Sequence, residues 1–235
     1  MKQEIQRSKT VCFTGHRPEK LPDKGDRNSA KTRAIKSMIY QEIYDAAEDG
    51  YDTFITGMQR GVDLWAGEAV LDMMSLPGRD LRLIAVLPYE GFGSGFTGED
   101  RWVFGRIIES AQKTVTVCKS YTKDCMARRN RFMVDNSSRI IGVMSSGFER
   151  SGAGQTLRYA KSCGLDIRRI DPAAFFASLE GSAGEQLSFD ITLYSPPGLP
   201  EGKYVPGRSP AKPACGRDTY SVMQVYIDDD DLELP

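Results

Sequence analysis

The chain has 235 residues, 31 Lys plus Arg against 32 Asp plus Glu, one histidine and five cysteines. That length can bury a full core without staples, and the near-neutral balance argues against a long-range bias toward nucleic acid or an anionic membrane. The cysteines at 12, 118, 125, 163 and 215 are odd in number and widely spaced, and none forms a Cys-x-x-Cys, which speaks against a disulfide framework or a zinc site.

His16 is the only histidine, so no His-rich metal centre can be built, while a carboxylate-bound magnesium stays open. No apolar run approaches the roughly 20 residues of a transmembrane helix, and the N-terminal residues lack the apolar region of a signal peptide. The expectation is a cytoplasmic protein with no membrane partner.

Over the first 170 or so residues, β-rich runs at 9–14, 52–56, 81–87, 113–118, 139–145 and 166–170 alternate with helix-period segments. That is the pattern of βα units closing a parallel sheet. Ile35, Met38, Ile39, Ile43, Ala46 and Ala47 share one helical face ending near Gly50, and Val62, Trp65, Ala66, Ala69, Val70 and Met73 share another. Further helices are predicted at about 99–111, 124–137 and 155–163. The fold class expected is α/β, a Rossmann-like three-layer sandwich with a mainly parallel sheet, spanning 1–180.

A different composition begins after Pro172. A short helical stretch through Phe175, Phe176 and Leu179 precedes a Pro/Gly-rich C-terminal extension, 181–235, expected to be partly extended or disordered. Two alternating segments, 188–194 and 220–227, read as strand-like, and the Asp228 to Glu233 run reads as a solvated tail.

Two of the predicted strands end in the same step. Val11-Cys-Phe-Thr-Gly-His-Arg17 carries Thr14, Gly15, His16 and Arg17, and Thr53-Phe-Ile-Thr-Gly-Met-Gln-Arg-Gly-Val-Asp63 carries Thr56, Gly57, Arg60, Gly61 and Asp63. In an open parallel sheet, ligands collect outside the carboxyl ends of the strands, so both loops are expected to face one crevice. Gly15 and Gly57 would let a phosphate approach the backbone, the helix starting near Gly61 would offer amides, and Arg17 and Arg60 would add fork-shaped donors. His16 beside Arg17 reads as a hydrogen-bond donor to ligand.

Asp63 falls in a first helical turn, where a carboxylate complements the dipole by default, and it could also hold a ribose hydroxyl. Glu68 lies further along the same helix. Asp63 and Glu68 are the only candidates for catalysis, and no nucleophile motif stands out.

A third loop, Ser151-Gly-Ala-Gly-Gln-Thr156, contributes Gly152, Gly154 and Thr156 at another strand end. The segment 126–135 concentrates three arginines with Asn130 and Asp135, of which Arg129, Asn130 and Asp135 are taken as ligand candidates. Gly93, Gly95 and Gly98 spell Gly-x-Gly-x-x-Gly, but the strand near 118 ends at Lys119 instead of an acidic ribose partner. A mobile loop over the crevice is expected there, with Phe92 and Phe96 as stacking surfaces for a base.

These motifs carry a resemblance. Cys12-Phe-Thr-Gly-His-Arg-Pro-Glu-Lys-Leu21, Thr56-Gly-Met-Gln-Arg-Gly-Val-Asp-Leu-Trp-Ala-Gly-Glu68 and Arg129-Asn-Arg-Phe-Met-Val-Asp135 resemble the YpsA-like proteins of the SLOG superfamily over about residues 9–171. The resemblance implies a Rossmann-like fold binding a nucleotide or an ADP-ribose-like ligand at the strand ends, with no established reaction for this branch. Dimers are common in the superfamily, so a homodimer is the assembly it implies.

The second segment is also similar to the single-stranded-DNA-binding stretch of the DNA-processing branch, which keeps nucleic acid as a less favoured partner. The third loop is similar to the Lonely Guy motif Pro-Gly-Gly-x-Gly-Thr-x-x-Glu, whose enzymes cut the N-glycosidic bond of nucleoside monophosphates. Its terminal glutamate falls on Tyr159 in this chain, which removes a carboxylate suited to acid or base chemistry on the sugar. Nucleotide binding is therefore the leading expectation, with a phosphoribohydrolase or a single-stranded-DNA or protein-partner module as alternatives.

Overall fold

A computed structural model describes residues 5–181 of the chain. Six strands form one sheet: β1 (Thr10–Gly15), β2 (Thr53–Thr56), β3 (Arg82–Tyr89), β4 (Lys113–Cys118), β5 (Arg139–Val143) and β6 (Asp166–Ile170). Every pairing is parallel and the order is β4-β3-β2-β1-β5-β6. The order reverses between β1 and β5, which makes their carboxyl ends the topological switch point. The strand-like segments at 188–194 and 220–227, the linker, the tail and Cys215 lie outside the described residues.

The six helices are α1 (Ala30–Glu48), α2 (Val62–Met74), α3 (Gly98–Ser110), α4 (Cys125–Asp135), α5 (Gly152–Ser162) and α6 (Pro172–Gly181). Alternation along each strand sorts the apolar side chains into two layers. Val11, Phe13, Phe54, Leu83 and Ile141 pack with α1, α2 and α3, and Phe176 of α6 joins them. Cys12, Ile55, Ile84, Val86 and Ile140 pack with α4 and α5. Both faces of the sheet are covered, as an all-parallel sheet requires.

Element ends moved by a few residues for identifiable reasons. Ser29 caps α1, its hydroxyl accepting from the N–H of Lys31 at 3.1 Å, so that helix starts before its apolar face does. Ser151 caps α5 in the same way through the N–H of Gly154 at 3.2 Å. That helix therefore begins at Gly152 and not near 155, and the small-residue motif lies inside its first turns. β5 stops at Val143, whose carbonyl takes the N–H of His16 at 3.3 Å, and the Met144 N–H makes one more bond to the Ile170 carbonyl of β6 at 3.0 Å. Beyond it the chain leaves the sheet as the 144–151 loop.

At the opposite, amino-terminal edge of the sheet, the buried Arg139 guanidinium donates to Asp166 at 2.7 Å and Asp49 at 2.8 Å. Its face lies 4.4 Å from the Tyr51 ring centroid. This rivet leaves the carboxyl edge as the place where loops diverge. Among the described residues, no helix is long and apolar enough to cross a membrane.

Candidate functional site

The two Thr-Gly loops do meet at the carboxyl edge, and they meet by packing on each other. The N–H of Val62, first residue of α2, donates to the His16 carbonyl at 3.3 Å. A Cβ on Gly15 would lie 2.6 Å from Val62, and one on Gly61 would lie 2.6 Å from the His16 carbonyl oxygen, with Gly61 at φ +85°. Both glycines therefore serve the contact between loops. The amide expected to greet a phosphate at the start of α2 is spent on the protein's own backbone, a correction to the sequence reading.

The second loop is closed from beneath. Arg129, 5% exposed, reaches from α4 and donates to the Gly57 carbonyl and, at 3.0 Å, to the carboxylate of Asp63, itself 7% exposed. Asp63 also accepts from the N–H of Gln59 at 3.3 Å. Its backbone carbonyl takes the Thr56 hydroxyl at 2.6 Å. A Cβ on Gly57 would fall 1.9 Å from the Arg129 guanidinium, so that glycine makes room for arginine.

Burial pushes the Asp63 carboxyl up from its usual range, and Arg129 and the Gln59 N–H pull it back. Asp63, Arg129 and Gly57 thus form an internal brace under the loop. Met58, buried at φ +62°, is held in the left-handed region by this brace, a conformation that costs a non-glycine residue on the order of 1–2 kcal/mol.

Arg60 is also committed. Its guanidinium donates to Asp100 of α3 at 2.6 Å and to Glu19 at 3.0 Å. Glu68 sits part-way along α2 between Lys36 at 3.4 Å and Arg106 at 3.5 Å, tying α2 to α1 and α3 instead of facing the crevice.

Arg17 differs from these. It is exposed and has no ion pair or hydrogen bond among the described residues. It lines a groove of about 440 Å³ whose far wall is the loop following β3. That loop is laced by turns from Phe92 to Tyr89, Ser94 to Gly91 and Phe96 to Gly93. Its rings interlock edge to face, Tyr89 with Phe92 at 5.4 Å, Phe92 with Phe96 at 5.6 Å and Phe96 with Phe104 of α3 at 5.5 Å. Tyr89 and Phe96 border the groove, whereas Phe92 is buried in the cluster behind them. The second glycine of the Gly-x-Gly-x-x-Gly string, Gly95, lies in the groove wall, and Gly98 only opens α3.

Thr14 is buried in β1. His16 is 3% exposed, its Nε2 has no hydrogen-bond partner among the described residues, and burial with nearby Lys20 pushes its pKa down, which keeps the imidazole neutral. Gly154 is filled by the Glu149 carbonyl, 2.3 Å from where its Cβ would be, while Gly152 stands in open space. Asn130 donates to Thr156 at 2.8 Å, and Thr156 donates to the Gly152 carbonyl at 2.8 Å, so this pair ties α4 to the first turn of α5.

Asp135 does not join them. It ends α4, which runs back from the carboxyl edge toward the start of β5, and it accepts the Tyr159 hydroxyl at 2.8 Å as a clasp between α4 and α5. This ligand candidate therefore lies at the other end of the sheet, away from the crevice.

Sequence reasoning did not single out Gln59 and Tyr89 of the groove wall, nor Phe148 beside His16. Phe148 carried one legible signal, an aromatic in a polar, glycine-containing loop a few residues after a β-rich run.

The family model described as the YspA SLOG family matches residues 11–173. The chain is also similar to a UPF0398 protein of Bacillus cereus (strain B4264), 25% identical over 138 residues, 57% of this chain and 73% of that relative. A UPF0398 protein of Macrococcus caseolyticus is 25% identical over 135 residues, 57% of this chain and 72% of that relative. The matched span runs from β1 into α6, taking in the crevice and all six strands, and the chain belongs to the YpsA-like SLOG family.

Proposed function

We propose that this protein binds a nucleotide or a nucleotide derivative such as an ADP-ribose-like molecule, with the ligand's phosphate at Arg17 and its remainder in the groove bordered by Tyr89 and Phe96. The observation that carries this reading is the unpaired, exposed Arg17 guanidinium beside an aromatic-walled groove at the carboxyl edge of a parallel sheet. A guanidinium fork suits phosphate, and the planar walls suit a base or sugar face. Membership in a nucleotide-related superfamily supports the same chemistry. The protein would act in the cytoplasm as a binding or sensing module.

Binding is favoured over N-glycosidic hydrolysis by the state of the carboxylates. Asp63 is braced by Arg129 and Glu68 is held by Lys36 and Arg106. Tyr159, at the position of the Lonely Guy glutamate, bonds Asp135.

The test is thermal unfolding of the full chain against purine nucleotides, dinucleotides and ADP-ribose, with native mass spectrometry for a co-purifying molecule. A ligand at about 100 times its Kd should add about 2.7 kcal/mol of stability. Silence across the panel, with no co-purifying molecule, would overturn the proposal.

A further inference from the structure

The switch point between β1 and β5 holds a second seat that the groove beside Arg17 does not reach. His16 lies there, nine-tenths and more buried, with an imidazole nitrogen that no group among the described residues satisfies. A buried polar atom without a partner is rare and needs a cause.

What packs against the His16 ring is the ring of Phe148, edge-on with centroids 4.8 Å apart, yet itself 39% exposed. Phe148 belongs to the loop after β5, where residues 146–150 are all exposed and Gly147 has φ +89°. Its only further ring contact among the described residues is the Lys20 ammonium, 5.8 Å from the centroid. The ring beside the imidazole thus belongs to a side chain with no hydrogen-bonding group to offer it.

We infer that Phe148 is a stand-in for a ring of the ligand, and that the site takes a dinucleotide-type molecule: one end in the groove bordered by Tyr89 and Phe96, phosphates at Arg17, and the second ring in the Phe148 seat, hydrogen-bonded to His16. The inference rests on the proposed nucleotide site. Its geometric basis is the adjacency of His16 and Arg17 at the end of β1, which sets the two seats on either side of one cation. The neutral imidazole suits a ring nitrogen, hydroxyl or amide better than a second phosphate. Opening the seat costs one edge-to-face contact, a modest price that a ligand ring recovers.

His16 is the only histidine, so its imidazole gives a single resolvable NMR signal in the full chain. The signal is followed while the wild type and Phe148→Ala are titrated with NAD+ and, separately, with AMP. NAD+ is expected to shift the His16 signal and to bind Phe148→Ala about five- to tenfold more tightly than wild type. AMP is expected to bind both proteins equally and leave the signal in place.

NAD+ binding that leaves the His16 signal unmoved would overturn the inference while leaving the nucleotide site standing, and so would AMP moving that signal. Absence of binding by either compound would overturn the inference, while the nucleotide site itself stands or falls by the wider panel that includes ADP-ribose. The wild-type titration decides the matter even if Phe148→Ala fails to fold.

Discussion

The loops after β1 and β2 start from nearly the same residues and reach opposite states. The β2 loop turns inward: Gly57 receives Arg129, Asp63 answers the charge, and Arg60 is shared by Asp100 and Glu19. The β1 loop spends its backbone on its neighbour, but the Arg17 guanidinium and the His16 Nε2 have no hydrogen-bond partner among the described residues. A glycine-rich strand end can therefore be a binding surface or a buried joint. What separates the two is whether the fold supplies partners for the polar groups that the motif presents.

The sharpest way to break the comparison is to cut the closed loop's brace. Asp63→Ala leaves the Arg129 guanidinium buried without a counter-charge and should cost about 3–5 kcal/mol in urea unfolding. Replacing both partners by apolar residues should recover part of that loss. If Asp63 were instead a surface ligand residue, its removal would leave stability within about 0.5 kcal/mol.

Next in size is Gly57→Ala. The added methyl would press on the Arg129 guanidinium, and the expected loss is about 1–3 kcal/mol, read from the same denaturation midpoint.

A smaller effect comes from further along α2. Burial pushes the Asp72 carboxyl up to about 6 from 3.8, helped by the charge on Glu68. The folded state therefore holds a proton between about pH 4 and 6 that the unfolded chain has released, and stability falls as pH rises through that window. Asp72→Asn should flatten this dependence and stabilise the protein at pH 7 by about 1 kcal/mol, reduced from the full linkage value because the side chain is 31% exposed. Unfolding midpoints at pH 4.5 and 7 check it. The smallest expected change is that of Arg17→Ala on stability, within about 0.5 kcal/mol, because its exposed guanidinium makes no hydrogen bond or ion pair among the described residues.

The sheet was legible because burial on both faces writes itself as short β-branched runs, and all six were found with ends off by no more than a few residues. Helix starts were less legible where a serine cap precedes the apolar face, as at Ser29 and Ser151. The loops after β1 and β2 meet at the carboxyl edge because the two strands are paired in parallel, an adjacency that the sequence pattern alone does not fix.

Pairing across the molecule was not legible. Nothing between positions 57 and 129 announces that an arginine on α4 fills the space over Gly57. Nor does the spacing of Asn130 and Asp135 reveal that one faces the start of α5 while the other clasps Tyr159 at the far end. Side-chain partners separated by many residues are set by packing of layers, and local pattern carries no trace of them.

Arg17 is the proposed anion donor of the open loop. Isothermal titration of wild type and Arg17→Ala with ADP-ribose tests this directly. The predicted result is binding by the wild type and affinity about tenfold or more weaker in the variant, the worth of a charge-assisted hydrogen bond to phosphate, with an unchanged unfolding temperature. Equal affinity in the two proteins would contradict it.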